Sequence, residues 1–222
     1  MLKTIAIAAL ILMPFPAFAA DLPMAAAPVE AAVAPSYDWT GAFVGGYVGG
    51  VWVGDTYNSG NGVNQPFNQS GGTVGGLVGY NFQSSNFVFG VELDGGWVSA
   101  SSTDLVVGPG PVKTSLNWDA HLQGRVGVAV DKALFYISGG GAAGNFTEDA
   151  SPKYTSITNT LYGWVVGAGI EYALSDNLTL RGEYLYSSYG PSPFLYTGIA
   201  PGGTVTSSFV TQEARIGLSY KF

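Results

Sequence analysis

The sequence predicts an all-β fold, an eight-stranded antiparallel up-and-down transmembrane β-barrel with short periplasmic turns and long extracellular loops. Three observations predict it. The chain opens with an export signal but has no second run of about 20 apolar residues, the length a spanning helix needs. Only 10% of residues are charged, against about 25% in an ordinary soluble domain. Glycine supplies 33 of 222 residues and aromatics 14%, and from Trp39 onward eight segments alternate with period two. Only helices and closed barrels satisfy every backbone group inside a bilayer, so an exported, charge-poor chain without a spanning helix has one common way into a membrane, the closed barrel.

Residues 1–19 read as a signal peptide: Lys3, then an apolar stretch from Ile5 to Met13, then Ala17 and Ala19 as the small residues of a cleavage site. Residues 20–38, "ADLPMAAAPVEAAVAPSYD", are rich in Ala and Pro without either period, as in a periplasmic tether. Residues 39–222 form the barrel domain. With no cysteine there is no disulfide framework. The net charge of −7 and the absence of any basic run argue against nucleic acid as a partner.

The eight segments run roughly 39–52, 72–82, 86–99, 115–130, 133–146, 160–173, 177–189 and 209–222. In the fourth, "LNWDAHLQGRVGV", Leu116, Trp118, Ala120, Leu122, Val126 and Val128 alternate with Asn117, Asp119, His121, Gln123, Arg125 and Gly127. The third, sixth, seventh and eighth segments alternate in the same way. The first and fifth are too rich in glycine to assign faces. Tight turns at 83–86, 131–132 and 174–177 contrast with long connections near 53–71, 100–114, 147–159 and 190–208, the pattern of an outer-membrane barrel.

Tryptophans add a test by height. Trp52, Trp97, Trp118 and Trp164 lie 11 to 13 residues from the short-turn end of their strands. Trp39 is expected at the opposite rim with Phe82, Phe87, Tyr220 and Phe222. Two aromatic girdles a bilayer apart put lipid on the apolar face and the lumen on the polar one. A soluble lipocalin-like barrel reverses the faces, but its outer surface would carry abundant charge.

The chain resembles the eight-stranded outer-membrane barrels related to the transmembrane part of outer membrane protein A. More narrowly, it is similar to the outer-membrane immunogenic, porin-like proteins of alphaproteobacteria. The resemblance rests on "AFAADLP", "YDWTGAFVGGYVGG" and "ARIGLSYKF". It implies that Phe222, with Tyr220, Leu218 and Ile216 on one face, forms a signal read by the barrel-assembly machinery. It also implies outer-membrane lipid and lipopolysaccharide as surroundings, and attachment to peptidoglycan through the tether beginning Ala20-Asp21.

On the inward face Glu92, Asp94, Asp119, His121, Arg125, Glu171, Arg181, Glu183, Glu213 and Arg215 gather near mid-barrel. Eight strands leave a lumen just wide enough for side chains, and desolvated charges there have to pair. The expected result is a plug of salt bridges. The alternative is a gate whose pairs exchange to admit ions. His121 is the only histidine; an Asp119–His121 hydrogen bond is expected, and no second His or any Cys completes a metal or haem site around it. The glycine pairs lack the following helix a phosphate loop needs and are read as relieving crowding. The expected loops carry Asp55, Asp104, Glu148 and Asp149 against Lys113 and Lys153, with Tyr57, Phe67, Tyr154, Phe194 and Tyr196.

No catalytic, cofactor or metal residues are assigned. The functional expectation is a barrel with a structural and surface role. A small low-conductance porin-like channel is the alternative, followed by a haem-binding receptor or a lipid A-modifying enzyme, activities that some small outer-membrane barrels have.

Overall fold

A computed structural model describes residues 37–59, 63–106, 110–149, 156–194 and 205–222. The signal peptide with Ala17 and Ala19, nearly all of the tether, and Lys153, Tyr154 and Tyr196 lie outside the described residues. Eight strands follow in order: β1 Gly41–Ser59, β2 Val63–Ser84, β3 Phe87–Val106, β4 Gly110–Val130, β5 Ala133–Asp149, β6 Ile157–Ala173, β7 Leu178–Phe194 and β8 Val205–Lys221. Each pairs antiparallel with its neighbours in sequence, and β8 returns to β1 from Phe43↔Lys221 to Asn58↔Thr206. Closure removes both sheet edges, the one arrangement in which a membrane-spanning sheet leaves no backbone group unpaired.

Two-residue turns join β2 to β3 and β4 to β5. Their first residues, Ser85 and Asp131, have φ of 55° and 53°, the left-handed geometry that suits the twist of a tight hairpin. Between β6 and β7, residues 174–177 close through Leu174 and Ser175 N–H groups donating to the Leu178 carbonyl.

The strands run 17 to 22 residues, well beyond the 9–11 that cross a bilayer. Long connections expected from sequence are therefore largely ladder. β1 and β2 pair up to Ser59↔Val63, and β3 and β4 up to Val106↔Gly110. Asp55, Tyr57, Phe67, Asp104, Lys113, Glu148, Asp149 and Phe194 stand in strands rather than loops. These residues lie past the length of strand needed to cross a bilayer. Apolar alternation fades there, while backbone pairing continues.

From Phe43 to Val53 the odd-numbered residues of β1 point inward: Phe43, Tyr47, Val51 and Val53 are buried, while Val44, Val48 and Trp52 are exposed. In β5 the inward set is Leu134, Tyr136, Ala142 and Phe146. These bulky rings fit because glycine faces them. A Cβ on Gly75 would stand 2.5 Å from the Tyr47 ring, and one on Gly169 would stand 2.5 Å from Tyr136.

Two face assignments need correction. Trp39 is 1% exposed and sits in the lumen beneath the barrel with Tyr37, Val88, Ala129, Leu134, Tyr136 and Ala173. It is not a girdle residue. An odd spacing of 13 from outward-facing Trp52 puts it on the opposite face of an extended chain. Leu116 is also buried, although Trp118 two residues later faces out. The register of β4 against β5 shifts between Leu116 and Trp118, and that of β3 against β4 between Trp97 and Ala100. A bulge at this height reverses the parity above it. The shift between Tyr189 and Ser192 falls on Gly190-Pro191, where proline has no N–H to give the ladder.

Candidate functional site

Inward side chains fill the described lumen in three layers. The lowest is aromatic and lies on the side of the short turns. The Tyr37 and Trp39 rings meet edge to face at 4.8 Å. Tyr37 donates its hydroxyl to the Asp176 carbonyl at 3.1 Å, and the Lys221 ammonium lies over its ring at 4.3 Å. Lys221 also donates to the Asp38 carbonyl. Burial, with Glu171, Asp176 and Asp38 nearby, pushes the Tyr37 phenol up to about 12. The Asp38 carboxyl is held below its usual range by the backbone N–H of Thr40.

The middle layer is ionic. Arg125 on β4 donates to Glu92 on β3 at 3.3 Å, to Glu171 on β6 at 3.2 Å and, through Nε, to Asn81 on β2 at 2.9 Å. Arg181 on β7 reaches Glu92 at 2.8 Å and the Tyr136 hydroxyl at 2.8 Å, and pairs with Glu183 at 3.5 Å. Arg215 on β8 donates at 2.6 Å to Asp94 and at 2.6 Å to Glu183. Thr179 and Tyr136 donate to Glu171 and Glu183 respectively. The chain of contacts Glu171–Arg125–Glu92–Arg181–Glu183–Arg215–Asp94 is continuous across the lumen. Charges taken out of water cost several kcal/mol each, and close pairing of this kind offsets that cost, although Arg125 Nη2 and Arg181 Nε have no hydrogen-bond partner among the described residues.

Aromatic faces complete each cation's surroundings. The Arg125 guanidinium lies 4.5 Å from the Phe43 ring centroid, and that of Arg215 lies 4.3 Å from Tyr47. Around Asp94 the acceptors are fully used: Oδ1 faces His121 Nδ1 at 3.0 Å as well as Arg215, and Oδ2 receives Gln123 Nε2 at 3.0 Å. His121 therefore pairs with Asp94, not with Asp119 as expected. Asp94 and His121 stand directly opposite in the β3–β4 register, where side chains approach more closely than two residues along one strand.

The upper layer is mostly apolar, with Gln69, Thr73 and Thr211 also buried in it. Val51, Val53, Val98, Ala100, Leu116, Ala142, Phe146, Leu161, Val165, Leu185, Tyr189 and Phe209 form one cluster. Phe146 stacks on Phe209 at 4.3 Å and meets Tyr189 edge-on at 5.3 Å. Between this layer and the ionic one lie Asp119 and Glu213, each 1% exposed.

All ten inward charged positions named from sequence are buried. Neutral partners were missed: Asn81, Gln123, Tyr136, Ser138, Thr179 and Ser187. Strand parity carried the signal for Gln123, which lies between His121 and Arg125 on one face. Glycine-rich β5 gave no parity for Tyr136. On the outside, Trp52, Trp97, Trp118 and Trp164 are exposed near the upper level, and Phe82, Phe87, Tyr220 and Phe222 near the lower.

The outer membrane protein beta-barrel domain family matches residues 5–222. The 25 kDa outer-membrane immunogenic protein of Brucella abortus biovar 1 is 34% identical over 240 residues, covering 100% of this chain and 99% of that protein. The 22 kDa outer membrane protein of Rhizobium leguminosarum bv. viciae is 31% identical over 194 residues, covering 87% and 82%. The outer membrane protein OprG from Pseudomonas aeruginosa aligns at 14% identity with a TM-score of 0.49, over 85% of this chain and 99% of that one. A family match running almost the whole length, joined by a relative aligned nearly end to end, makes the eight-stranded barrel described above a member of the outer membrane protein beta-barrel family, an integral protein of the outer membrane.

Proposed function

We propose that this barrel has a structural role in the envelope, with a lumen closed by side chains and an upper rim that presents surface to the outside. The observation that carries the reading is the seven-residue ionic chain spanning the lumen between two apolar layers. Packed rings above and below exclude water, and the ion pairs tie together β3, β4, β6, β7 and β8. Such a cylinder contributes stiffness and a lipid-facing wall rather than a path. The immunogenic relatives support surface exposure of the rim. Outward-facing Tyr220 and Phe222, with ring centroids 5.2 Å apart, are the proposed element read by the assembly machinery. Lipopolysaccharide and lipid contact the outer wall, and peptidoglycan is the proposed partner of the tether.

The test is genetic. Deleting the gene is expected to raise sensitivity to detergent and to large antibiotics, and the wild-type chain restores resistance. Unchanged sensitivity in the deletion strain refutes an envelope role.

A further inference from the structure

We infer that Asp119, His121 and Glu213 form a site for one divalent transition-metal ion, of which Zn²⁺ is the representative, buried between the ionic layer and the apolar layer. One ligand atom from each residue lies within 4.8 Å of the other two. The residues come from β4 and β8, and all three are 1% exposed.

A second observation points to a cation. Both oxygens of Asp119 and both of Glu213 are buried, and no N–H or O–H group among the described residues donates to any of them; the two carboxyl groups approach only each other. The other four carboxylates of the lumen behave differently, since Glu92, Asp94, Glu171 and Glu183 each accept from arginine. The direct contacts of the three arginines thus go to other carboxylates, and although Arg215 lies near Asp119 and Glu213 it forms no ion pair with either. A double positive charge matches these two carboxyl groups.

His121 is oriented for the role. Its Nδ1 faces Asp94 Oδ1 at 3.0 Å, and Asp94 also receives Arg215 and Gln123, so it acts as an acceptor. Donation of Nδ1–H to that carboxylate leaves the lone pair on Nε2. This carboxylate–histidine relay commonly orients a metal-ligating imidazole and raises its basicity. The Ser187 hydroxyl donates to that lone pair at 3.3 Å, and it has to rotate away for an ion to take its place.

One imidazole nitrogen with two carboxylates suits zinc or a neighbouring transition ion better than calcium or magnesium, which take oxygen ligands. A tetrahedral zinc ion keeps its ligand atoms about 3.3 Å apart. From within 4.8 Å the three close by about 1.5 Å at most, within reach of side-chain rotation. The competing occupant is a single proton shared between Asp119 and Glu213, whose carboxyls approach closely enough for it.

Among the described residues, packed clusters lie above and below the site, so the ion is expected to enter during folding. The mature protein is refolded in detergent with Zn²⁺, freed of loose ion on a chelator-containing sizing column, and its metal content is measured. Expected is about one zinc per folded chain, falling below ~0.1 in His121→Ala, Asp119→Asn and Glu213→Gln. Asp131→Asn, on an exposed turn, keeps it. Folded wild type that holds no zinc overturns the proposal and leaves the shared proton. Zinc retained by all three folded variants overturns it as well. Where a variant does not fold, the X-ray absorption spectrum of the zinc-loaded wild type decides. One imidazole nitrogen with oxygen donors supports the site, and a shell without imidazole refutes it.

Discussion

Replacing Arg215 by alanine probes the tightest ion pairs of the lumen. The Arg215 side chain is 2% exposed and bonds Asp94 and Glu183 at 2.6 Å each. Removing one partner of a buried pair costs about 3–5 kcal/mol. Here the carboxylates are not fully stranded. Asp94 keeps His121 and Gln123 at 3.0 Å, and Glu183 keeps Tyr136 at 3.1 Å. That compensation sets the electrostatic loss near the lower bound, about 3 kcal/mol. Loss of the contact with the Tyr47 face at 4.3 Å adds ~1 kcal/mol. With a urea slope of ~2 kcal/mol per molar, a total of ~4 kcal/mol lowers the unfolding midpoint by ~2 M. The assay is urea unfolding of the refolded barrel in lipid vesicles, followed by tryptophan fluorescence and by migration of the unheated sample on gels. Arg215→Lys keeps the charge but not the fork that spans both carboxylates, and falls between the two. A shift below ~0.5 M for Arg215→Ala, the size expected of an exposed pair, would refute the reasoning.

Other outcomes follow from single features of the molecule. Trp39→Ala empties the lowest layer and is expected to cost ~3–5 kcal/mol in the same unfolding assay; if Trp39 faced lipid the cost would be small. Gly169→Ala drives a methyl group to 2.5 Å from the Tyr136 ring and is expected to destabilise by ~1–3 kcal/mol, read as a lower urea midpoint. Tyr37, with its phenol raised from 10 to about 12, contributes stability that is complete below pH 10 and lost as pH climbs through about 12. The wild-type midpoint therefore falls relative to that of Tyr37→Phe across that window, and parallel curves would contradict the assignment. Deleting Phe222 is expected to lower the amount of barrel in the outer membrane, measured by immunoblotting of membrane fractions; normal levels count against a role in assembly.

Much of this fold was legible because the membrane simplifies the code. Where one face meets hydrocarbon, alternation in β6, β7 and β8 is nearly unbroken, and the charges Arg181, Glu183 and Arg215 mark the inside. Legibility failed where that constraint ended. Trp39 precedes β1, whose glycines hid the parity that its odd distance from Trp52 carries. Leu116 lies above a bulge, and a one-residue slip leaves no trace in residue types. The strand ends near Ser59 and Val63 lie past the length needed to cross a bilayer, so pairing there leaves no apolar signature. Individual partners were further from reach. Asp94 against His121 depends on the β3–β4 register, and the approach of Glu213 to Asp119 depends on closure bringing β8 around to face β4.

The central claim is that the lumen is closed, and single-channel recording tests it most directly. Refolded wild-type protein in a planar bilayer, beside Arg125→Ala, is the experiment. A closed lumen gives a silent wild type whose folding is intact, and a variant that is less stable but also silent, because the packed clusters above and below remain. Discrete, reproducible openings in the wild type would contradict it, and their alteration in Arg125→Ala would make the ionic layer a gate.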